Sequence, residues 1–436
     1  MKCMESAIGT LLAGQGLRLV RELSLAFGVK AYVVGGCLRD LLLGRKGNDV
    51  DIALAGAWRE LPSMFAERSG GTFFWLDEER GHSRVVIRNA AQHATVDFAP
   101  LRGESIAEDL ALRDFTINAL AVPLTEEDRL IDPFGGLEDI RQKLIRTSAP
   151  TAFRDDPLRL VRAFRFATVL GFRIEEATLS LVPGHAPLLS QIAGERIRDE
   201  FFQILQAPDA AGSMRKMAET GLLPRILPHR AGEETFAAVA QVEKLCEAPE
   251  TLTGEHRCDH LVARLQEEMQ SGITVSVLLK LAAFLFPSGI SHHEAGKRLK
   301  LGNAAQKLLG AYCRIGSPAL RGRRHELSPG AMYRFFNGHE PAGIELPLLG
   351  LALRLTAKNE SRELTEYYLT TYLPRTRELI LSGDDIMALL GIPQGQLVGK
   401  AVSLLREAQA TGLVQTHDEA AAYLRKKLLT TDEPLR

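Results

Sequence analysis

The chain has 436 residues, 45% of them hydrophobic and 25% charged, with a formal net charge of −1 at pH 7. This length exceeds what one hydrophobic core usually organises, so several domains are expected, and the balanced charge excludes a uniformly basic nucleic-acid binder. No run of about 18 uninterrupted apolar residues marks a transmembrane helix.

The N-terminal stretch MKCMESAIGTLLAGQGLRLV lacks the basic–apolar–small pattern of a signal peptide, and residues 1 to about 30 read as a helix leading in. From 31 to about 140 the pattern is mixed. AYVVGG, DVDIAL, TFFWLD, RVVIRN, ATVDFAP and RLIDP are short runs rich in Val, Ile and Phe, with helical stretches between them, which predicts a small α/β domain. After about residue 148 the strand signals stop. Apolar residues then recur at three- and four-residue spacing between short polar breaks, which predicts an all-helical remainder. LRLVRAFRFATVLG ends at Gly171, a plausible residue just past a helix end, and ERIRDEFFQILQ is a further amphipathic helix. A loop with Pro and Gly is expected near Ser317 to Arg324, and a separate helical unit from about 376.

Charge is unevenly spread. Arg141, Lys143, Arg146, Arg154, Arg159, Arg162, Arg165 and Arg173 outnumber Asp155 and Asp156 in one stretch. Lys297, Arg298, Lys300, Lys307, Arg314, Arg321, Arg323, Arg324 and Arg334 form another. Such patches set a polyanion footprint, although each also fits a solvated helix face. The five cysteines, Cys3, Cys37, Cys246, Cys258 and Cys313, are scattered and show no metal-ligand spacing, which fits free thiols in a reducing cytoplasm.

The densest chemistry lies in YVVGGCLRDLLLGRKGNDVDIAL, Tyr32 to Leu54. Glycines at a strand-to-helix turn, Gly35 and Gly36, let the backbone approach a phosphate, and Arg39 adds a bidentate cation. Alone, the pattern also fits a plain tight turn. Asp49 and Asp51 stand two residues apart in a strand and so share a face. Two such carboxylates fit a divalent ion, and Mg²⁺ prefers carboxylate oxygens together with substrate phosphates. Alone, they also fit an exposed strand. Asp97, in ATVDFAPLR, is the candidate third carboxylate.

These residues resemble the signature of the bacterial-type tRNA nucleotidyltransferase and poly(A) polymerase family. LRDFTINAL (Leu112 to Leu120) looks like its second motif. DPFGGLEDI (Asp132 to Ile140) looks like the motif joining head to neck. RDDPLRLVRAFRFA (Arg154 to Ala167) looks like the nucleotide-selecting motif, and ERIRDEF (Glu195 to Phe201) like the last neck motif. The resemblance implies an α+β chain: a small α/β, polymerase β-like nucleotidyltransferase head (1–148), then a helical neck (149–212), body (213–375) and tail (376–436). It implies template-independent nucleotide addition to a tRNA 3′ end, by two-metal attack of the 3′-hydroxyl on the α-phosphate. Asp49 and Asp51 would hold Mg²⁺, with Asp97 as a further catalytic carboxylate. Gly35, Gly36 and Arg39 would contact the triphosphate, with Arg113 and Asn118 near the nucleotide. Asp156 and Arg159, continued by Arg162, would read the incoming base edge. Asp156-Pro157 also reads as a helix cap. The family pattern has Glu where this chain has Asp155.

Members that add the whole CCA carry a flexible loop between the third carboxylate and the second motif. Here FAPLRGESIAEDLAL leads from Asp97 almost directly to Arg113, as in members that add only the two cytidines. CC addition from CTP is therefore the expectation, with a separate enzyme supplying A. Complete CCA addition from CTP and ATP is the runner-up, followed by A addition or poly(A) synthesis. EHRCDHL, VLLKLAAFLF and SGISHHEAGKRLKL resemble an HD-type phosphohydrolase domain, but Phe286-Pro287 stand where its metal-binding His-Asp pair belongs. A catalytically silent RNA-binding protein on the same fold is the reading of another class. The resemblance further implies a tail resting on the tRNA elbow and a cytoplasmic location, with no membrane partner.

Overall fold

The structure is a computed structural model that describes residues 14–45, 47, 49–89, 92–124, 129–228, 232–254, 257–316 and 327–429. The leading helix before residue 14, Lys46 and Asn48 of the glycine–aspartate stretch, and Glu255-His256 of EHRCDHL lie outside the described residues. So do the loop from Ser317 to Arg324 and, with it, Arg321, Arg323 and Arg324. The chain divides into two compact units, Met1–Glu200 with Glu219–Arg225, and Phe201–Ala218 with Ile226–Arg436.

The first unit is built on six strands, β1 (Lys30–Val34), β2 (Asp49–Ala55), β3 (Thr72–Asp77), β4 (His82–Asn89), β5 (Gln92–Pro100) and β6 (Ala121–Pro123). They lie in the order β3-β4-β5-β2-β1-β6, with β2–β5 parallel and the other pairs antiparallel. Five of the six expected strands form. RLIDP contributes only a bridge from Ile131 to Ala121, and β6 is the strand not foreseen.

Alternation sorts the side chains onto two faces. One face buries Val33, Ile52, Val85 and Phe98 beneath helices α1 (Gln15–Phe27), α2 (Gly36–Leu42) being elsewhere, and α3 (Leu61–Ser69). Phe65 of α3 meets Phe98 edge-on at 5.5 Å between ring centroids. Burying such a ring contributes roughly 1.5–3 kcal/mol, and Phe65→Ala would cost about 3–5 kcal/mol through the cavity it leaves. The opposite face is covered only in part. Val34, Ala53 and Ala121 pack under Leu110 of α4 (Ile106–Ala111) and Ala119 of the turn after it. Toward β3 this face stays open, and Phe74 and Leu76 are 39% and 51% exposed.

Helix α5 (Gly136–Gln142) begins where Asp132 accepts hydrogen bonds from the Gly136 and Leu137 N–H groups at 2.7 and 2.9 Å. A Cβ at Gly136 would lie 2.1 Å from the Thr116 carbonyl, so DPFGG is first a close-packing device between α5 and the turn at Thr116–Asn118. A two-residue parallel pair, β7 (Leu144–Ile145) with β8 (Arg173–Ile174), then corrects the expectation that strands cease at 148. After α6 (Ala152–Asp155), α7 (Arg159–Leu170) buries Leu160, Val161, Phe164 and Phe166. It stops at Gly171 with φ 68°, the left-handed position that glycine accepts without strain. Helices α8 (Glu176–His185) and α9 (Gly194–Gln206) follow.

Among its described residues the second unit is helical apart from one small hairpin, Glu268–Gln270 with Ile273–Thr274. Its central helix, Val275–Ser288, is apolar around most of its surface and correspondingly buried from Val275 to Leu285, with Pro287 in its last turn. The last three helices, Gly383–Leu390, Gln396–Ala410 and His417–Leu429, close over their own core of Ile386, Leu405, Val414 and Leu424. Among the described residues no helix is long and apolar enough to cross a membrane.

Candidate active site

Strand register assembles the site. Val34 pairs with Asp51, Asp51 with Asp97, Asp97 with Arg84 and Arg84 with Phe74. Directly opposed residues share a face, so these side chains form one row across the incompletely covered side of the sheet. Asp49 projects from the same face, two residues before Asp51 and opposite Thr95. A cleft of about 320 Å³ opens here, lined by Asp51, Asp97, Leu76, His82, Arg102 and Arg113 among others.

Gly35 makes the turn between β1 and α2 with φ 81° and ψ −145°, a conformation all but confined to glycine. A Cβ there would lie 2.9 Å from Arg113 Nη1 and 3.1 Å from Asp51 Oδ2. The glycine turn, the second-motif arginine and an aspartate of the D-x-D pair thus meet at one point. The Asp51 carboxyl is pushed above its ordinary range, first by burial and then by the charge of Asp97, with Arg113 opposing and Asp49 adding. Its side chain still opens to solvent, so a cation can reach it.

Arg113 is aimed from behind. Buried Asp109 accepts from its Nε and Nη2 at 3.1 and 2.9 Å, and from Arg102 Nε at 3.0 Å. Burial opposes the charge on Asp109, but Arg113 and Arg102 outweigh it and hold the carboxyl below its usual range. On the other flank, Arg84 donates from Nε and Nη2 to the two oxygens of Asp97, at 2.7 Å each.

Arg39 is not a free cation. Its Nε and Nη2 donate to Asp40 at 3.0 and 2.8 Å, and Nη1 donates to Asn118 Oδ1 at 2.6 Å. Asn118 Nδ2 donates in turn to Asp114 at 2.9 Å. Arg162 then joins Asp114 at 2.7 Å to Glu200 at 2.9 Å, and Arg165 also pairs with Glu200. One chain of polar contacts therefore links four of the five motifs, with Phe166 stacked under Arg39, Arg162 and Arg165. Arg162, expected along the base-reading face, is held inside this network.

Asp156 stands just before α7 with an extended backbone (φ −146°, ψ 101°), the capping geometry that its Asp-Pro sequence also suggests. Asp156 Oδ1 accepts from the Leu158 N–H at 3.1 Å, and Oδ2 pairs with Arg196 at 3.2 Å. Arg159 donates from Nη1 to the Ala152 carbonyl at 3.3 Å and from Nη2 to the Leu112 carbonyl at 2.7 Å. Asp155 Oδ2 accepts from Thr151 Oγ1 at 2.8 Å. Both members of the expected base-reading pair stand at the start of α7.

Among the described residues no three His, Cys, Asp or Glu side chains converge into a ready-made metal cage. The donors fit Mg²⁺ all the same. This ion demands no all-protein cage, taking one or two carboxylates and completing its shell with water and substrate phosphates. Asp49 and Asp51 present oxygen donors on one exposed face, beside the turn where Gly35 leaves room.

Sequence reasoning missed Arg84, Asp109, Asp114 and Glu200. Asp114 and Glu200 lie inside quoted motifs, LRDFTINAL and ERIRDEF, where a carboxylate facing a run of arginines was the available signal. Arg84 and Asp109 carry no local signal, because strand pairing and helix placement define their roles.

Two family profiles match the chain: "Poly A polymerase head domain" over residues 31–146 and "Probable RNA and SrmB- binding site of polymerase A" over residues 171–232. The CC-adding tRNA nucleotidyltransferase of Geobacter sulfurreducens is 46% identical over 420 residues, 96% of each chain. The A-adding tRNA nucleotidyltransferase of Deinococcus radiodurans is 32% identical over 91% of this chain and 95% of its own. Among solved structures, the Thermotoga maritima CCA-adding enzyme complexed with tRNA shares the fold at a TM-score of 0.72 and 24% identity, over 97% of this chain and 98% of that one. With near-complete coverage by a relative of that identity, and with the motifs meeting at one site, the chain belongs to the bacterial-type tRNA nucleotidyltransferase and poly(A) polymerase family.

Proposed function

We propose that this chain adds the two cytidines of CCA to the tRNA 3′ end, using CTP and no nucleic-acid template. The observation that carries the chemistry is the meeting of Asp51, Arg113 and Gly35 at one end of a carboxylate row. The observations that favour cytidine are the 46% identity to a CC-adding relative and the short connection between β5 and α4, which spans only residues 101–105. Such a connection has no length for a switching loop. A addition is the second reading, favoured by the relative of Deinococcus radiodurans.

The tRNA 3′-hydroxyl attacks the α-phosphorus in line, and pyrophosphate leaves from the opposite side. Asp49 and Asp51, with Asp97 beside them, would hold Mg²⁺, which when bound neutralises the triphosphate and makes the hydroxyl a better nucleophile. Gly35 and Gly36 give the triphosphate close access to the backbone. Arg113, braced by Asp109, contributes positive charge where pyrophosphate develops its own negative charge. Arg39 orders the floor of the site through Asn118. Asp156 and Arg159 read the base, one accepting and one donating hydrogen bonds. The last helices serve as a rest for the tRNA elbow, and the setting is the cytoplasm.

The test supplies three tRNA transcripts, ending before CCA, after one C and after CC, with CTP and ATP separately. Two cytidines added to the first transcript, and none of the nucleotides added to the third, is the expected result. Efficient A addition to the CC-ended transcript overturns CC specificity. Asp49→Ala and Asp51→Ala abolish incorporation while tRNA binding stays near wild type; undiminished incorporation in either overturns the metal assignment.

A further inference from the structure

We propose that the open edge of the head sheet, Phe74 and Leu76 of β3 with Arg84 between them and the carboxylates, seats the terminal nucleoside of the RNA acceptor. The inference rests on the nucleotidyl-transfer reading above and adds the place where the attacking strand lies.

Three observations carry it. First, β3 alternates. Phe73 and Trp75 turn to one face, where they meet edge-on at 5.1 Å and Arg59 lies over the Trp75 ring at 5.3 Å. Phe74 and Leu76 turn to the carboxylate face and stay 39% and 51% exposed. Second, Phe74 is in register with Arg84, Arg84 with Asp97 and Asp97 with Asp51, and Leu76 lines the same cleft as both aspartates. The apolar pair therefore continues the catalytic row. At about 4.8 Å per strand, β3 lies about 10 Å from β5, comparable with the span of one nucleotide.

Third, in-line displacement assigns the sides. Gly35 and Arg113 meet at the β1 end of the row, a Cβ on Gly35 falling 2.9 Å from Arg113 Nη1, and on the reading above they receive the triphosphate there. The nucleophile must enter opposite the leaving pyrophosphate, which is the β5–β4–β3 end. That end offers two apolar side chains for a base, beside an Arg84 whose Nε and Nη2 already serve Asp97. Stacking on such a surface tolerates any base, since every base has a π-face. The acceptor base changes as the reaction proceeds, first the residue before CCA and then a cytidine. A tolerant platform under the acceptor complements a polar reader, Asp156 and Arg159, for the incoming nucleotide.

The test uses the full chain and a tRNA transcript with pyrrolocytidine as its last nucleotide. The wild type quenches the probe on binding. Phe74→Ala combined with Leu76→Ala loses the quench and raises the acceptor KM about tenfold or more, the scale of one lost stacking contact, with the CTP KM within about twofold. Phe74→Trp restores both. Both positions are exposed, so unchanged thermal unfolding separates a lost seat from a lost fold. A quench and acceptor KM within twofold of wild type in the double variant overturn the proposal, and so does a homodimer in solution that the double variant dissociates. The parent reading fails separately, by retained incorporation in Asp49→Ala.

Discussion

Arg84 grips both oxygens of Asp97 at 2.7 Å, and this one bidentate pair separates the third carboxylate from the other two. Register brings Asp97 beside Asp51, while Arg84 on β4 occupies one acceptor site on each Asp97 oxygen. Arg84 is thus a resident counter-charge for the acidic row. Its hydrogen bond to Asp97 is the first reason that its own proton is held more tightly than usual. Replacing it with Gln removes a positive charge beside three carboxylates. Divalent binding without nucleotide should tighten about tenfold, measured as Mn²⁺ titration by paramagnetic resonance. The pair is partly solvated, with side chains 39% and 29% exposed, so stability should change by less than about 1 kcal/mol. Unchanged or weaker Mn²⁺ binding would contradict the counter-charge role.

Gly35→Ala tests the meeting point directly. Its φ of 81° alone costs an alanine roughly 1–3 kcal/mol, and the added Cβ also presses on Arg113 Nη1 and Asp51 Oδ2. Gly44 is the control, with φ 68° and nothing within 4 Å of an added Cβ. Gly44→Ala should lose about 1 kcal/mol and keep its turnover. Gly35→Ala should lose turnover by about 100-fold or more, assayed where both variants remain folded. Equal turnover in the two variants would dissociate the glycine from the chemistry.

The network centred on Asp114 makes a prediction about acid. Burial disfavours its charge, but Arg162 and the bonds from Asn118 and the Phe115 N–H outweigh it, so its carboxyl titrates below the ordinary value of 3.8. A depressed folded pKa means that the ionised form supports folding above the unfolded value. That support is fully present above about 3.8 and is lost as pH falls through the lower folded value. Asp109 behaves alike. Asp114→Asn should lower stability by about 2–4 kcal/mol at pH 7, because it leaves Arg162 short of a partner in a half-buried place. Its urea midpoint should also fall less steeply than wild type below pH 4. A parallel decline in both proteins would place the acid sensitivity elsewhere.

The fold was legible where local chemistry decides it. β-Branched and aromatic runs announced β1 to β5, and Gly171 announced the end of α7. Strand β6 was hidden because Ala121–Pro123 is three residues long and borrows its stability from pairing with β1. The hairpin at Glu268–Thr274 was hidden for the same reason. At the site, spacing singled out Asp49, Asp51 and Gly35, and the family resemblance added Arg113. What it could not supply was partnership. Arg39 and Arg162, written in the sequence as free cations, are committed to Asp40, Asn118, Asp114 and Glu200, contacts that span up to 79 residues. DPFGG likewise read as a family linker, while its physical content is the Asp132 cap and the absence of a Cβ at Gly136.

The base-reading pair meets the incoming nucleotide with bonds already made, so its spare capacity decides whether it can read. A carboxylate offers about four acceptor sites, and the contacts from the Leu158 N–H and Arg196 occupy two of them on Asp156. A guanidinium has five N–H donors, and the Ala152 and Leu112 carbonyls take two of those on Arg159. Each residue keeps enough to face one base edge without breaking the contacts that orient it. The backbone contacts would then hold both groups rigid, favouring one base geometry over another. Asp156→Ala or Arg159→Ala should therefore change the CTP-to-ATP ratio of kcat/KM by about tenfold or more, in proportion to one or two lost hydrogen bonds of about 1–2 kcal/mol each. Arg196→Ala frees one Asp156 oxygen but removes no base contact, so its ratio should move by less than about threefold. An unaltered ratio in both Asp156→Ala and Arg159→Ala would transfer base selection to other residues of the cleft.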